Sequence, residues 1–286
     1  MTDRDADDGL IKRGRATNEH GLGVFRLIKS VLKNLPLVKE LSRRELTDQH
    51  AAQIAGGIWL ILHPVTLFLV FAFLFTAVFR VRIGDGGPSD YLIYLFAGLA
   101  PWLLTADVIG RSPSILFANQ TIVKKVLFPT EVLVAKTVAS ALFVQAILFL
   151  TVIAYIIIVR GIYNPMFLML PILFVIHILL LWGLALLLSS LTPYFRDISE
   201  FVRVFVTINV YLMPVMYLPS MLPGKMQYAL ALNPFSHLIW CYQDVLYFGR
   251  FEHPYAWVVL LLMTSVVLVS GSYVFTRLRH HFANVL

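Results

Sequence analysis

The sequence predicts an all-α polytopic membrane protein with six transmembrane helices. It adds an N-terminal amphipathic interface helix and short re-entrant external helices between spans five and six. Three observations carry this. Hydrophobic residues make up 59% of the 286 and charged residues 14%, against about 25% charged in a soluble domain. Six apolar stretches each approach the ~20 residues that a ~30 Å hydrocarbon core requires. The basic residues crowd to one side of these stretches, as ten of the 23 Lys and Arg precede residue 57.

Taken in order, residues 1–23 are polar, rich in Asp, Gly and Arg, and without periodicity, which reads as a disordered cytoplasmic tail. No apolar core of a signal peptide lies within residues 1–50, so the first hydrophobic run is expected to insert directly and stay. Residues 24–50 are the interface helix. Leu27, Ile28, Val31, Leu32, Leu35, Val38 and Leu41 recur at spacings of three and four, with Arg26, Lys29, Lys33, Lys39 and Arg43 between them. Such a helix lies on a membrane surface, with a bend expected at Pro36. Membrane contact alone and contact with a partner both satisfy the pattern.

The remainder, 51–286, forms the transmembrane domain. Its spans are expected at 57–79, which contains His63-Pro64, then 91–110, 132–159, 165–191, 201–218 and 255–276. The fifth is the shortest and is interrupted by Pro214. The stretch 219–250 is too apolar for a solvated loop, yet Pro219, Pro223, Gly224 and Pro234 break it. Two short helices dipping into the outer leaflet fit; two extra full spans are the alternative, with each arm short for the task.

Six spans place both termini in the cytoplasm. The cytoplasmic segments then hold 18 Lys and Arg and the external ones five, as the positive-inside rule demands. That rule accounts for the basic N-terminal block without invoking nucleic acid.

Little in the chain suggests catalysis. It has no Walker A sequence, no HExxH and no GxSxG, so no catalytic, cofactor or metal residue is assigned. The single Cys241 excludes an internal disulfide and reads as a small buried apolar residue. His63 and His177 lie in spans without a carboxylate at helical spacing. Asp107 and Arg111, four apart, read as a local ion pair. The acidic residues Asp85, Asp90, Asp244 and Glu252 on the external side are dispersed. One loop stands out. Asn119 to Glu131, NQTIVKKVLFPTE, joins spans two and three and is charged, amphipathic and closed by a proline. It is built for a second protein to push on.

Four stretches give these features a family likeness. Leu41 to Leu46 leads into Ile58-Trp59-Leu60-Ile61-Leu62-His63-Pro64. Leu95 to Trp102 (LFAGLAPW) follows in span two. Val123 to Pro129 (VKKVLFP), then Glu131, is the third. Tyr194-Phe195-Arg196-Asp197, Met213 to Tyr217 (MPVMY) and Leu232-Asn233-Pro234 complete the series. In order and spacing these resemble the type-2 ABC exporter permeases, and among them the polysaccharide exporters for O-antigen, teichoic acid and capsule. The sequence departs from that pattern at Gln243, where many relatives have arginine, and at Thr47 to Ile54, which replaces a basic, tyrosine-containing stretch.

The resemblance implies a permease subunit of the bacterial inner membrane. It would pair with a second copy of itself and with two copies of a separate ATPase, which holds the ATP and Mg. The cargo would be a lipid-linked polysaccharide. Asn119, Lys124, Lys125, Phe128, Pro129 and Glu131 would couple to the ATPase, with Phe128 an apolar anchor and the lysines charge-complementary. Snorkelling of those lysines to lipid phosphates is the bland alternative. Sugars present apolar faces on which aromatic rings stack, making Phe68, Phe71, Phe75, Phe79, Tyr211 and Tyr217 candidates for the path. The four phenylalanines share one helix face, and a packing stripe explains that spacing equally well. A permease for a drug or small lipid, and a membrane glycosyltransferase, are the competing functions.

Overall fold

A computed structural model describes residues 23–50, 58–79, 87–124, 128–161 and 164–286, and these are helical with short connections. The expected tail 1–22 lies outside them. Helix α1, 23–33, ends at Asn34, whose backbone N–H reaches the carbonyls of Ser30 and Val31, both at 3.1 Å. Its side-chain amide takes the Ser30 carbonyl as well, at 2.8 Å. Helix α2 (Leu35–His50) restarts at once. The break thus falls at Asn34 rather than at Pro36, which sits in the first turn of α2, where a missing N–H breaks no helical bond.

The long helices follow. They are α3 (Trp59–Phe73), extended by a widened π turn at Leu74–Val78, and α4 (Pro88–Arg111). A tight turn at Ser112–Ser114 leads to α5 (Ile115–Ala118) and α6 (Gln120–Val123). Then come α7 (Glu131–Arg160) and α8 (Leu170–Leu191), the latter entered through a tight turn at Pro165–Met169. After α9 (Ile198–Asn209), α10 (Gly224–Leu232) and α11 (Pro234–Gln243), α12 (Pro254–Leu278) leads to a terminal α13 (Phe282–Val285).

Among the described residues, five helices are long and apolar enough to cross a membrane: Trp59–Val78, Pro88–Ala118, Glu131–Arg160, Pro165–Leu191 and Pro254–Val285. The expected fifth span at 201–218 differs. It is the 12-residue α9 plus one tight turn, Val210–Leu212, after which Met213 is extended at φ −125°, ψ 157°. Pro214 is the cause, since proline drives the preceding residue out of the helical region and brings no N–H of its own. At 1.5 Å per residue this helical piece reaches about 22 Å, short of a bilayer core.

Helix α4 is the centre of the molecule, with Tyr91 to Ala100 buried, and it packs on α7, α8, α9 and α11. Helix α11 is buried along its length, whereas α10 is largely exposed. Helices α8 and α12 touch backbone to backbone through Gly183 and Gly271, where a Cβ on Gly271 would lie 2.2 Å from the Gly183 carbonyl oxygen. Close approach of this kind is how spanning helices gain contact without a hydrophobic drive between them. At one end of the bundle Asp90 pairs with Arg160 at 2.6 Å. The guanidinium of Arg160 also lies 4.7 Å from the centre of the Tyr247 ring. Arg111 and Lys136 mark the opposite ends of the antiparallel α4 and α7.

Candidate functional site

The loop singled out in the sequence folds back under that second end. Asn119 separates α5 from α6, and its amide Nδ2 donates to the Ile115 carbonyl at 2.7 Å. Its Oδ1 accepts from Lys136 Nζ of α7 at 3.2 Å. Lys136 also pairs with Glu45 of α2 at 3.2 Å, and Glu45 takes Arg111 of α4 at 2.9 Å. The expected Arg111–Asp107 pair is present at 2.7 Å. Ser140 completes the junction by donating to Glu45 at 3.1 Å and accepting from Arg111 at 3.2 Å. One carboxylate thus ties α2 to α4 and α7, and through Lys136 to the loop. A cavity of about 530 Å³ opens beside these groups, bounded also by Arg44, Asp48 and Ile122.

The other residues of the loop are placed as follows. Lys124 is exposed. Lys125 lies outside the described residues. Phe128 is half-buried against Val38 of α2 and Val132 and Ala135 of α7, so part of its ring serves this chain's own packing. Pro129 is half-buried, and Glu131, in the first turn of α7, is only 4% exposed. An acidic residue there suits the positive end of the helix. From the other side α13 packs against α6, with Phe282 fully buried and edge-on to Phe275 at 5.4 Å.

The phenylalanine stripe of α3 faces α4 and α7. Phe68 is buried between Phe96 (4.7 Å) and Tyr155 (5.3 Å). Phe71 lies 5.9 Å from Phe75, and Phe75 lies 5.1 Å from Tyr91. Phe79, at the end of the stripe, is exposed. Tyr211 is exposed, and its carbonyl accepts the Tyr217 hydroxyl at 2.8 Å.

Gly98 of span two, the Met213 to Tyr217 stretch and Asn233 come together at the broken segment after α9. Met213 and Val215 are fully buried, so their non-helical backbone needs partners that are not water. Side chains supply them. Tyr91 Oη donates to the Met216 carbonyl at 2.6 Å. Tyr94 Oη lies within reach of both Pro214 (3.1 Å) and Tyr217 (3.2 Å) carbonyls. Gln243 Nε2 donates to Pro214 at 2.7 Å. Gly98 makes room: a Cβ there would stand 3.0 Å from Ile239 and 3.2 Å from the Gln243 amide. Asn233 caps α11 by accepting from the Phe235 N–H, and its own amide donates to Asn209 at 2.7 Å.

A family model for ABC-2 type transporters matches residues 36–247, which run from the interface helix to the end of this junction. The chain belongs to the ABC-2 type transporter family. It is therefore a multi-pass membrane protein of a transport system. Among curated relatives, this ABC-2 chain is 25% identical over 256 residues to the O-antigen export system permease protein RfbA of Klebsiella pneumoniae, covering 87% of this chain and 95% of the relative. It is 26% identical over 264 residues to the protein of the same name from Myxococcus xanthus, covering 91% and 99%.

Sequence reasoning named neither the two tyrosines nor Asn209 and Asn233 as functional. The available signal was Tyr91 and Tyr94, three apart on one face of a span, set against an apolar segment that a proline must break. Of the acidic residues expected on the external side, Asp85 lies outside the described residues and Asp90 pairs with Arg160; Asp244, fully buried, holds His253 at 2.9 Å and the Trp257 indole at 3.1 Å, while Glu252 takes Arg250 at 2.7 Å. His177, also fully buried, sits between Thr105 (2.9 Å) and Tyr242 (3.0 Å).

Proposed function

We propose that the chain is the permease subunit of an ATP-binding cassette exporter that moves a lipid-linked cell-surface polysaccharide of O-antigen type out of the cytoplasm. The carrying observation is the match along nearly the full length of O-antigen export permeases, joined to a loop tied by Glu45, Lys136 and Asn119 into the spanning helices. Energy comes from a separate ATPase seated on the segment 119–131. Lys124 is the exposed charge offered to it, Phe128 its apolar neighbour, and Asn119 the link inward. Two copies of the permease pair, with α3 and α9 as natural faces. Phe73 of α3 and Phe79 just past its π turn, with Phe201 and Ile208 of α9 and Tyr211 in the turn that follows, are all at least half exposed in the single chain.

The end of α4 that carries Arg111 faces the cytoplasm. Helix α2 reaches that end through Glu45, and α13 reaches it by packing on α6. This supports an even number of crossings, the sixth made by α9 with the extended segment that follows. Helices α10 and α11 then turn back at the external side, one exposed and one buried.

Depletion in the native host, followed by fractionation of its glycans, tests the reading. Lipid-linked polymer accumulating inside with a bare surface is expected. Normal surface glycan overturns it and directs the search to a small exported molecule. For the coupling loop, Lys124→Glu is the suitable variant because the side chain is exposed and unburdened by packing. It is expected to weaken ATPase association about tenfold, a change of 1.4 kcal/mol, with insertion unaffected. Wild-type association in a pull-down titration would remove Lys124 from the contact.

A further inference from the structure

A second feature lies on the interface helix, away from the loop and the stripe. An apolar groove of about 300 Å³ runs between α1–α2 and the spanning helices α7 and α8. Ile28 and Leu32 form one wall, Ala139 and Leu142 the second, Leu179 and Trp182 the third. Leu32 is 63% exposed, so the wall is uncovered. Trp182 is the single lining side chain with a polar atom, and its indole N–H is buried without a hydrogen-bond partner. An unfilled apolar groove forgoes dispersion contacts, and a buried donor without an acceptor is costly.

Two considerations select the occupant. Two walls are membrane-spanning helices, so the groove opens where acyl chains are the surrounding medium. Lys29 and Lys33 are exposed and directly follow Ile28 and Leu32 in sequence, so positive charge flanks the apolar lining. We propose that this groove is a binding site for one anionic phospholipid of the bilayer, with an acyl chain in the groove and its headgroup on Lys29 and Lys33. The site would hold the interface helix against α7 and α8 and make its position depend on lipid charge.

The test uses the full chain in nanodiscs of equal phosphatidylglycerol and phosphatidylcholine, extracted into mild detergent, with retained lipid measured by mass spectrometry. The wild type should retain phosphatidylglycerol with a preference of about tenfold or more, since each basic residue near a surface attracts anionic lipid appreciably. Ala139→Phe should abolish retention by filling the groove. Leu32→Trp fills it from the exposed wall and serves if the first variant elutes as aggregate. Lys29→Gln with Lys33→Gln should keep a lipid but lose the preference. Retention unchanged by both groove-filling variants overturns the proposal, as does equal retention of the two lipids by the wild type. Photo-crosslinks from position 32 that land on the ATPase instead of lipid would assign the groove to that partner and overturn it too.

Discussion

Gly271 is where a single methyl group would be felt most. Its Cβ would stand 2.2 Å from a backbone oxygen that cannot swing aside. Gly271→Ala is therefore expected to destabilise the α8–α12 pair by about 1–3 kcal/mol, the usual range for overpacking, seen as a fall in melting temperature in detergent. Gly110→Ala, in α4 with nothing within 4 Å of the added carbon, should instead be neutral or slightly stabilising. Equal effects of the two would show that α8 and α12 are not in close contact. Tyr91→Phe removes only the hydroxyl that satisfies the Met216 carbonyl. It should cost about 1 kcal/mol, the net worth of a typical hydrogen bond, because Met216 is half-buried, and leave the amount of inserted protein unchanged. Residues such as these were hardly legible in the sequence. A tyrosine in a span reads as one more apolar residue, because its partner lies more than a hundred positions away. The Asp107–Arg111 pair was legible because its whole geometry is local.

At the scale of elements, hydropathy located five long helices to within a few residues of their ends, since length and apolar composition are what a bilayer selects. It could not distinguish an unbroken fifth span from a short helix followed by extended chain. Both bury the same apolar residues, and the difference lies in where the carbonyls after Leu212 find donors. Those donors come from α4 and α11, which no local pattern reveals. The helical character of 24–50 was legible from its period, whereas the break at Asn34 and the tie through Glu45 were not. Glu45→Ala would remove the carboxylate that Lys136 shares with Arg111 and leave Arg111 to Asp107 alone. Loss of these partly buried charge-assisted bonds should cost about 1.5–3 kcal/mol and make α2 more accessible to protease while the spanning helices stay resistant. Unchanged proteolysis of α2 would mean that apolar packing at Leu27 and Val38 suffices to hold it.

For the whole molecule, the site divides into a charged junction at one end and a tyrosine-lined repair of a broken helix toward the other, with α4 running between them. The aromatic stripe of α3 rests on that same helix. Phe75→Ala is expected to lower polymer export, and normal dimer assembly in the variant would place the ring on the path, whereas loss of assembly would make it a packing residue. The sequence pointed to the loop because charge and proline punctuate it, and to the stripe because of its period. The period alone cannot choose between lining and packing, because both put the four rings on one helix face.

The ion pairs at Asp90 and Arg111 also act as a ruler. They stand 21 residues apart on one helix, a rise of about 31 Å at 1.5 Å per residue. Neither can move deeper without dragging its partners from α2 or α7 into hydrocarbon. The chain therefore carries its own preferred bilayer depth. Reconstituted in lipids of graded acyl length, it should be most stable near that depth and lose stability on either side, by fractions of a kcal/mol per Å of mismatch. A flat profile would mean that tilt absorbs the difference. A peaked profile would make the composition of the host membrane one of the controls on how firmly this permease stands.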